Sequence, residues 1–355
     1  MKAHFLGLDA LRGVAAICVV LLHFNSYFSN PGLQAHAYLA VDFFFMLSGF
    51  VIAYSYERKF AAGMSWAAFM RGRLVRLYPL MLAGLAAGAA YVMLQSLVEP
   101  QHAMPLPVFL LNLLFGLLLF PNYVNRIGGS LNAVSWSLFF ELLMNALYRL
   151  LGKHITDRRL WLIICFFAAA LAGLTFLSDW KGGAESEPRL FQIPRAIDFF
   201  LMGSVRAGFG FFLGVGLLRW FASRGFPASW TGHPLFAGLV LVMIFSAPDE
   251  WPEVYNLVMA ALVFPVIIVA AAAYKPIGAT ARLSKFSGWI SFPLYAIHIP
   301  TGMLVVGVMT YFQIYDRLPP FVRGSAVLAA VAVIACVLAR FYDKPVRKFL
   351  SRKAA

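Results

Sequence analysis

Residues 8–24, LDALRGVAAICVVLLHF, form an apolar run that carries Asp9, Arg12 and His23. A run of this length is a membrane-span candidate. Ionisable groups inside a span are costly, so they face the protein interior, pair with one another and mark function. Arg12 and His23 are eleven positions apart. At ~100° per residue this leaves them about 20° apart around a helix, and at ~1.5 Å per residue roughly 16 Å apart along its axis. One helix face therefore presents a cation near one membrane surface and an imidazole well toward the other, the pattern of a site that reaches across a bilayer.

The rest of the chain agrees with a membrane class. Of 355 residues, 61% are hydrophobic and 12% charged, and the mean hydropathy is +0.78, far from the balance of a soluble domain. At least ten stretches approach the ~20 apolar residues of one crossing. The fold expected is all-α, a polytopic helical membrane bundle. The first segment does not read as a cleavable signal peptide, because it contains Asp9 and Arg12, lacks a small-residue cleavage site, and is followed by further crossings. The net charge of +14 does not indicate nucleic acid. The positive residues sit at the ends of apolar runs, where they act as orientation signals beside membrane lipid. Cys18, Cys165 and Cys336 lie within expected spans without metal-type spacing, so they read as core residues and no metal site is expected.

Eleven segments are candidates: 8–28, 38–57, 79–98, 106–121, 133–151, 160–178, 200–220, 233–247, 255–274, 289–312 and 323–341. Eleven crossings would put the two ends on opposite sides. The charges place both inside, because the end RFYDKPVRKFLSRKAA and the loop with Arg58, Lys59, Arg71, Arg73 and Arg76 are both basic. Treating 106–121 as re-entrant or partly inserted resolves the conflict. It is short, begins with Pro105 and Pro107, ends at Pro121 and runs into NRIGGSLN, and irregular backbone at membrane depth is tolerated where protein surrounds it. The expectation is about ten spans plus this segment, both termini cytoplasmic, in one integral-membrane domain over 1–355 with no fused extracytoplasmic domain.

In that layout His23, Asp42 and Glu141 fall at similar depth below the outer surface. A His–carboxylate pairing fixes the tautomer and raises basicity, which suits a general base acting on a hydroxyl. The bland readings are that His23 satisfies a backbone carbonyl and that Asp42 is a helix-terminal residue. On the inner side, FMRGRLVRLYP sets Arg71, Arg73 and Arg76 around the third span, with Arg12 near the same surface. They read either as headgroup and topology signals or as a cleft for phosphates, onto which guanidinium groups fork. Lys275, Arg282 and Lys285 read as orientation signals. In SGWISFPLYAIHIP, Ser291, Tyr295 and His298 follow steps of four and three and share a face toward the bundle interior. They serve either chemistry or helix packing. Arg195, Asp198 and Arg206 mark the outer start of the seventh segment, beside an acceptor or as interfacial anchors.

Together these stretches resemble the membrane acyltransferase-3 family, multi-span enzymes that acylate cell-surface glycans, along nearly the whole chain. LDALRGVAAICVVLLH resembles the family's Arg-x10-His opening, carried by Arg12 and His23. AVDFFFMLSGFVIAY is similar to its second-span signature, and RGRLVRLYP to its Arg-x2-Arg pair, here Arg73 and Arg76. VSWSLFFELLMNALY resembles its Trp-Ser-Leu-x2-Glu stretch, Trp136 to Glu141. SFPLYAIHIP and YDKPVRK are similar to its closing elements, with Asp343 where the family often has Glu. The resemblance implies an O-acyltransferase whose donor substrate is an acyl-CoA, usually acetyl-CoA, with no permanently bound cofactor. Arg12, Arg73 and Arg76 would hold the donor, and His23, with Glu141 and Asp42, would carry the chemistry, with His23 as base or as an acyl-histidine. Asp9, Trp136, Arg206, Ser291, Tyr295 and His298 would support it or face the acceptor, a carbohydrate or lipid-linked glycan. The setting implied is the bacterial inner membrane, and a separate extracytoplasmic transferase is a partner the family allows. Competing readings are a secondary transporter, although the two halves show no convincing repeat, and an acyltransferase acting on a small cytoplasmic acceptor.

Overall fold

Each of the eleven apolar segments forms a helix in the computed structural model, which describes residues 5–120, 130–176, 195–225, 228, 233–246 and 252–352. The first four are α1 (Leu6–His23), α2 (Ala40–Ala61), α3 (Trp66–Val98) and α4 (Leu106–Leu117). Next come α5 (Ser135–Leu151), α6 (Asp157–Thr175), α7 (Arg195–Ser223) and α8 (Pro234–Phe245). The last three are α9 (Pro252–Ala273), α10 (Gly278–Tyr311) and α11 (Pro320–Arg352). There is no strand among the described residues. α9 and α11 each contain one π-helical turn, at Met259–Val263 and Ala339–Asp343.

Eight of these helices are long and apolar enough to cross a membrane: α1, α2, α3, α6, α7, α9, α10 and α11. α4 has 12 residues, about 18 Å of helix against a hydrocarbon core of roughly 30 Å, so it is too short to cross alone. The ten-crossing layout needs two further spans, from α5, with 17 residues, and α8, whose 12 helical residues fall short of a crossing by the same measure as α4.

Two helices begin well before their expected limits. α3 starts at Trp66 rather than 79, and α10 at Gly278 rather than 289. Ser65 opens α3, its Oγ accepting from the Ala68 N–H at 3.1 Å, and the good helix formers that follow carry the helix through Pro79. Helices of 33 and 34 residues are about 50 Å long and outrun the hydrocarbon core. Arg71, Arg73, Arg76, Arg282 and Lys285 consequently stand on helical extensions, not in loops. The cysteines also differ from expectation: Cys18 is buried, but Cys165 is exposed and Cys336 half-buried. α6 and α11 are largely apolar on their accessible sides, with Phe166, Phe321 and Val333 exposed, as a lipid-facing helix requires.

The chain divides into two compact units. The first contains Met1–Ala15, His36–Met70 and Phe140–Trp289, and its centre is α2 against α7. Gly210 and Gly214 on α7 let the two backbones touch. A Cβ at Gly210 would lie 3.2 Å from Asp42 O and 3.3 Å from Met46 N, and one at Gly214 would collide with Met46 O. Small residues at such crossings replace the hydrophobic drive that lipid removes. Arg206, four residues before Gly210, is thereby aimed at α2.

The second unit contains Ala16–Ala35, Arg71–Phe139 and Ile290–Ala355. Here Asn132 Nδ2 donates to Ala296 O at 2.9 Å, pinning the segment before α5 to α10. A Cβ at Gly302 would stand 2.8 Å from the Phe24 ring. Gly302 lies four residues after His298 on one face of α10, and Phe24 follows His23. The close approach at Gly302 therefore brings the end of α1 to His298.

Candidate active site

α1 is unbroken from Leu6 to His23, and His23 closes it with a part-buried ring. Its Nδ1 lies 2.9 Å from Val19 O and 3.2 Å from Nε2 of His298, and the ring centroids are 5.0 Å apart. His298 is fully buried, at 0% exposure, and its Nδ1 lies 2.8 Å from Tyr295 O. A carbonyl oxygen only accepts, so both Nδ1 atoms carry the proton, a tautomer assignment made from these partners. His23 Nε2 is then a lone pair with no partner among the described residues. The partner that the sequence reading sought for His23 was a carboxylate; the structure supplies a second imidazole.

The stripe on α10 faces inward as expected: Ser291, Tyr295 and His298 are all buried. Tyr295 Oη is 2.7 Å from Ser137 Oγ. The Ser137 hydroxyl donates in turn to Val134 O at 3.1 Å, so the Tyr295 hydroxyl is the donor of the pair. Ser137 was not singled out from the sequence, although it lies inside the Trp-Ser-Leu motif. Trp136, beside it in the first turn of α5, is half-buried.

In the first unit, Asp42 is held by Arg206. Nε donates to Oδ1 at 3.0 Å and Nη2 to Oδ2 at 2.6 Å, with Nη2 also 3.2 Å from Tyr38 O. Both side chains are buried, at 3% and 4% exposure. Both Asp42 oxygens accept within this fork. Arg206 is likewise buried and not an interfacial anchor, because Asp42 neutralises it. Glu141 is half-buried and accepts from Ser48 Oγ at 2.9 Å, a link from α5 to α2 that no sequence signal announced.

Arg12 is held from two sides: Nη2 is 3.1 Å from Asp9 Oδ1 and donates to Gly288 O at 2.7 Å. Asp9 thus orients the arginine from the preceding helical turn. Of the pair on α3, Arg73 is buried and Arg76 exposed. Glu57, at the end of the second apolar segment, was not singled out from the sequence. It accepts from Tyr148 Oη at 2.8 Å and from Arg219 Nε at 2.9 Å, tying α2 to α5 and α7.

Comparison with known proteins matches a family model described as an acyltransferase domain, of type 3, to residues 5–340. A protein of Rhizobium radiobacter named Protein 2 in picA locus is 38% identical over 178 residues, 47% of this chain and 92% of that protein. Acyltransferase MdmB of Streptomyces mycarofaciens is 26% identical over 383 aligned positions, covering 98% of this chain and 92% of MdmB. No solved structure matches the chain.

Proposed function

The chain belongs to the acyltransferase-3 family, and from that premise we propose that it moves an acyl group, acetyl foremost, from cytoplasmic acyl-CoA to a hydroxyl of a cell-surface or lipid-linked carbohydrate. Acyl transfer and residence in a membrane follow from the family match and the eight long apolar helices. The donor, the acceptor, the inner membrane and cytoplasmic termini are the proposal. The transporter reading yields to the family match.

The observation that carries the reading is the His23 ring, tethered at Nδ1, with no partner at Nε2 among the described residues. In the proposed step Nε2 takes the acceptor hydroxyl's proton as that oxygen adds to the thioester carbonyl. The C–S bond then breaks and the CoA thiolate recovers the proton from His23, leaving an ester and free CoA. Arg12, Arg73 and Arg76 are assigned to the phosphates of CoA. Support comes from the pre-orientation of Arg12 by Asp9 and Gly288 O and from the exposure of Arg76 on the projecting end of α3, since guanidinium forks fit phosphate oxygens. Trp136, Tyr295 and Ser291 are assigned to the acceptor side.

The test is the purified enzyme in detergent with radiolabelled acetyl-CoA, following free CoA by chromatography. We expect His23→Ala to lose about 10²-fold or more in release, the scale of a general base, while still binding CoA. Wild-type turnover in that variant would sink the assignment of His23. Failure of the wild type to bind acetyl-CoA would sink the donor.

A further inference from the structure

We infer that His298 is a positioning residue for the reaction: a buried imidazole whose Nε2 accepts from His23 Nδ1–H and so keeps His23 in the tautomer with Nε2 open. The inference rests on the reading of His23 as the base. Two backbone carbonyls on different helices carry it. Tyr295 O holds the proton on Nδ1 of His298 at 2.8 Å, and a neutral ring so anchored offers only a lone pair at Nε2. Val19 O holds the proton on Nδ1 of His23 at 2.9 Å. The 3.2 Å contact between the rings then has one donor and one acceptor, with no conflict. His23 Nδ1–H is shared between Val19 O and His298 Nε2.

The imidazole that backs His23 is itself held in place. His298 has no exposed surface, and Tyr295, whose carbonyl anchors it, is fastened through its hydroxyl to Ser137 at 2.7 Å. Phe24, which approaches α10 closely at Gly302, packs beside His298 with ring centroids 6.2 Å apart. When His23 Nε2 takes a proton, the positive charge is delocalised to Nδ1–H, which already points at an acceptor. This is the orienting part that a carboxylate plays behind a catalytic histidine, performed here by a neutral ring. A fixed neutral acceptor avoids placing an unpaired anion in an apolar bundle, where burial is costly.

The test compares His298→Gln, His298→Asn and His298→Leu with wild type in acetyl-CoA turnover, alongside CoA binding and thermal melting. A Gln amide oxygen reaches the position of ring Nε2 and can accept from His23. Asn keeps the tether to Tyr295 O but falls short of His23, and Leu does neither. We expect His298→Leu and His298→Asn to lose about 10²-fold in kcat with KM for acetyl-CoA changed no more than about twofold. His298→Gln should recover to within about tenfold of wild type. A role in packing alone predicts no advantage of Gln over Asn, and that result overturns the inference even if Leu fails to fold. Wild-type kcat in a folded Asn or Leu variant overturns it as well. His23→Ala run in parallel separates the two claims. If His23→Ala is inactive while His298→Asn turns over normally, this inference fails and the base assignment stands; if His23→Ala is active, the base assignment fails first.

Discussion

At the scale of residues, a guanidinium and a carboxylate that would each be prohibitive in an apolar helix pair become compatible when they share one fork. Asp42 and Arg206 meet through two N–H···O bonds with both side chains buried. Removing one partner from such a pair leaves an uncompensated buried charge and costs about 3–5 kcal/mol, whereas replacing both with apolar residues is close to neutral. We predict that Arg206→Met lowers the melting temperature in detergent markedly, and that adding Asp42→Leu restores most of the loss. A double variant as unstable as the single would mean that the pair does more than neutralise itself. The sequence made Asp42 and Arg206 visible as intramembrane charges, yet nothing in their spacing told which charge would face which. Glu141 is the same case, since the Ser48 hydroxyl that meets it is 93 positions away in the chain.

At the scale of elements, helix contact in this protein depends on where side chains are missing. Gly214 sits where a Cβ would strike the Met46 carbonyl, and Gly210, one turn earlier, lies against Asp42 and Met46. Gly214→Ile is therefore expected to separate α2 from α7, lengthen the Asp42–Arg206 fork and cost more than the ~1 kcal/mol that helix propensity alone would return. Gly173 on α6 provides the control. A Cβ there meets nothing within 4 Å, so Gly173→Ala should leave stability unchanged or raise it by up to about 1 kcal/mol. Equal effects of the two substitutions would remove the crossing from the account. The elements also show where local patterning misleads. The basic stretch before Pro79 looked like a loop because hydropathy falls there, but its residues are good helix formers and a Ser65 cap starts the turn.

At the scale of the whole molecule, the proposed orientation of the chain rests on where its basic clusters lie. The early turns of α3 and α10 and the last turns of α11 each carry a cluster of Lys and Arg residues, and such clusters favour the cytoplasmic side. A fluorescent protein fused after Ala355 should fold and fluoresce in bacteria, and alkaline phosphatase at the same site should be inactive. The reverse pair of results would invert the proposed topology and move the donor arginines to the wrong surface. The sequence by itself determined the membrane class, the eleven apolar segments, the axial spacing of Arg12 and His23, and the shared face of Ser291, Tyr295 and His298. All of these depend on composition or on the helical period, which a single chain segment contains in full. Only the tertiary structure decided that His23 meets His298, 275 positions away, and that Asp42 meets Arg206, 164 positions away. Such pairings depend on how each helix is rotated about its own axis, and that rotation is set by the close approaches at Gly210, Gly214 and Gly302, not by any period along the chain.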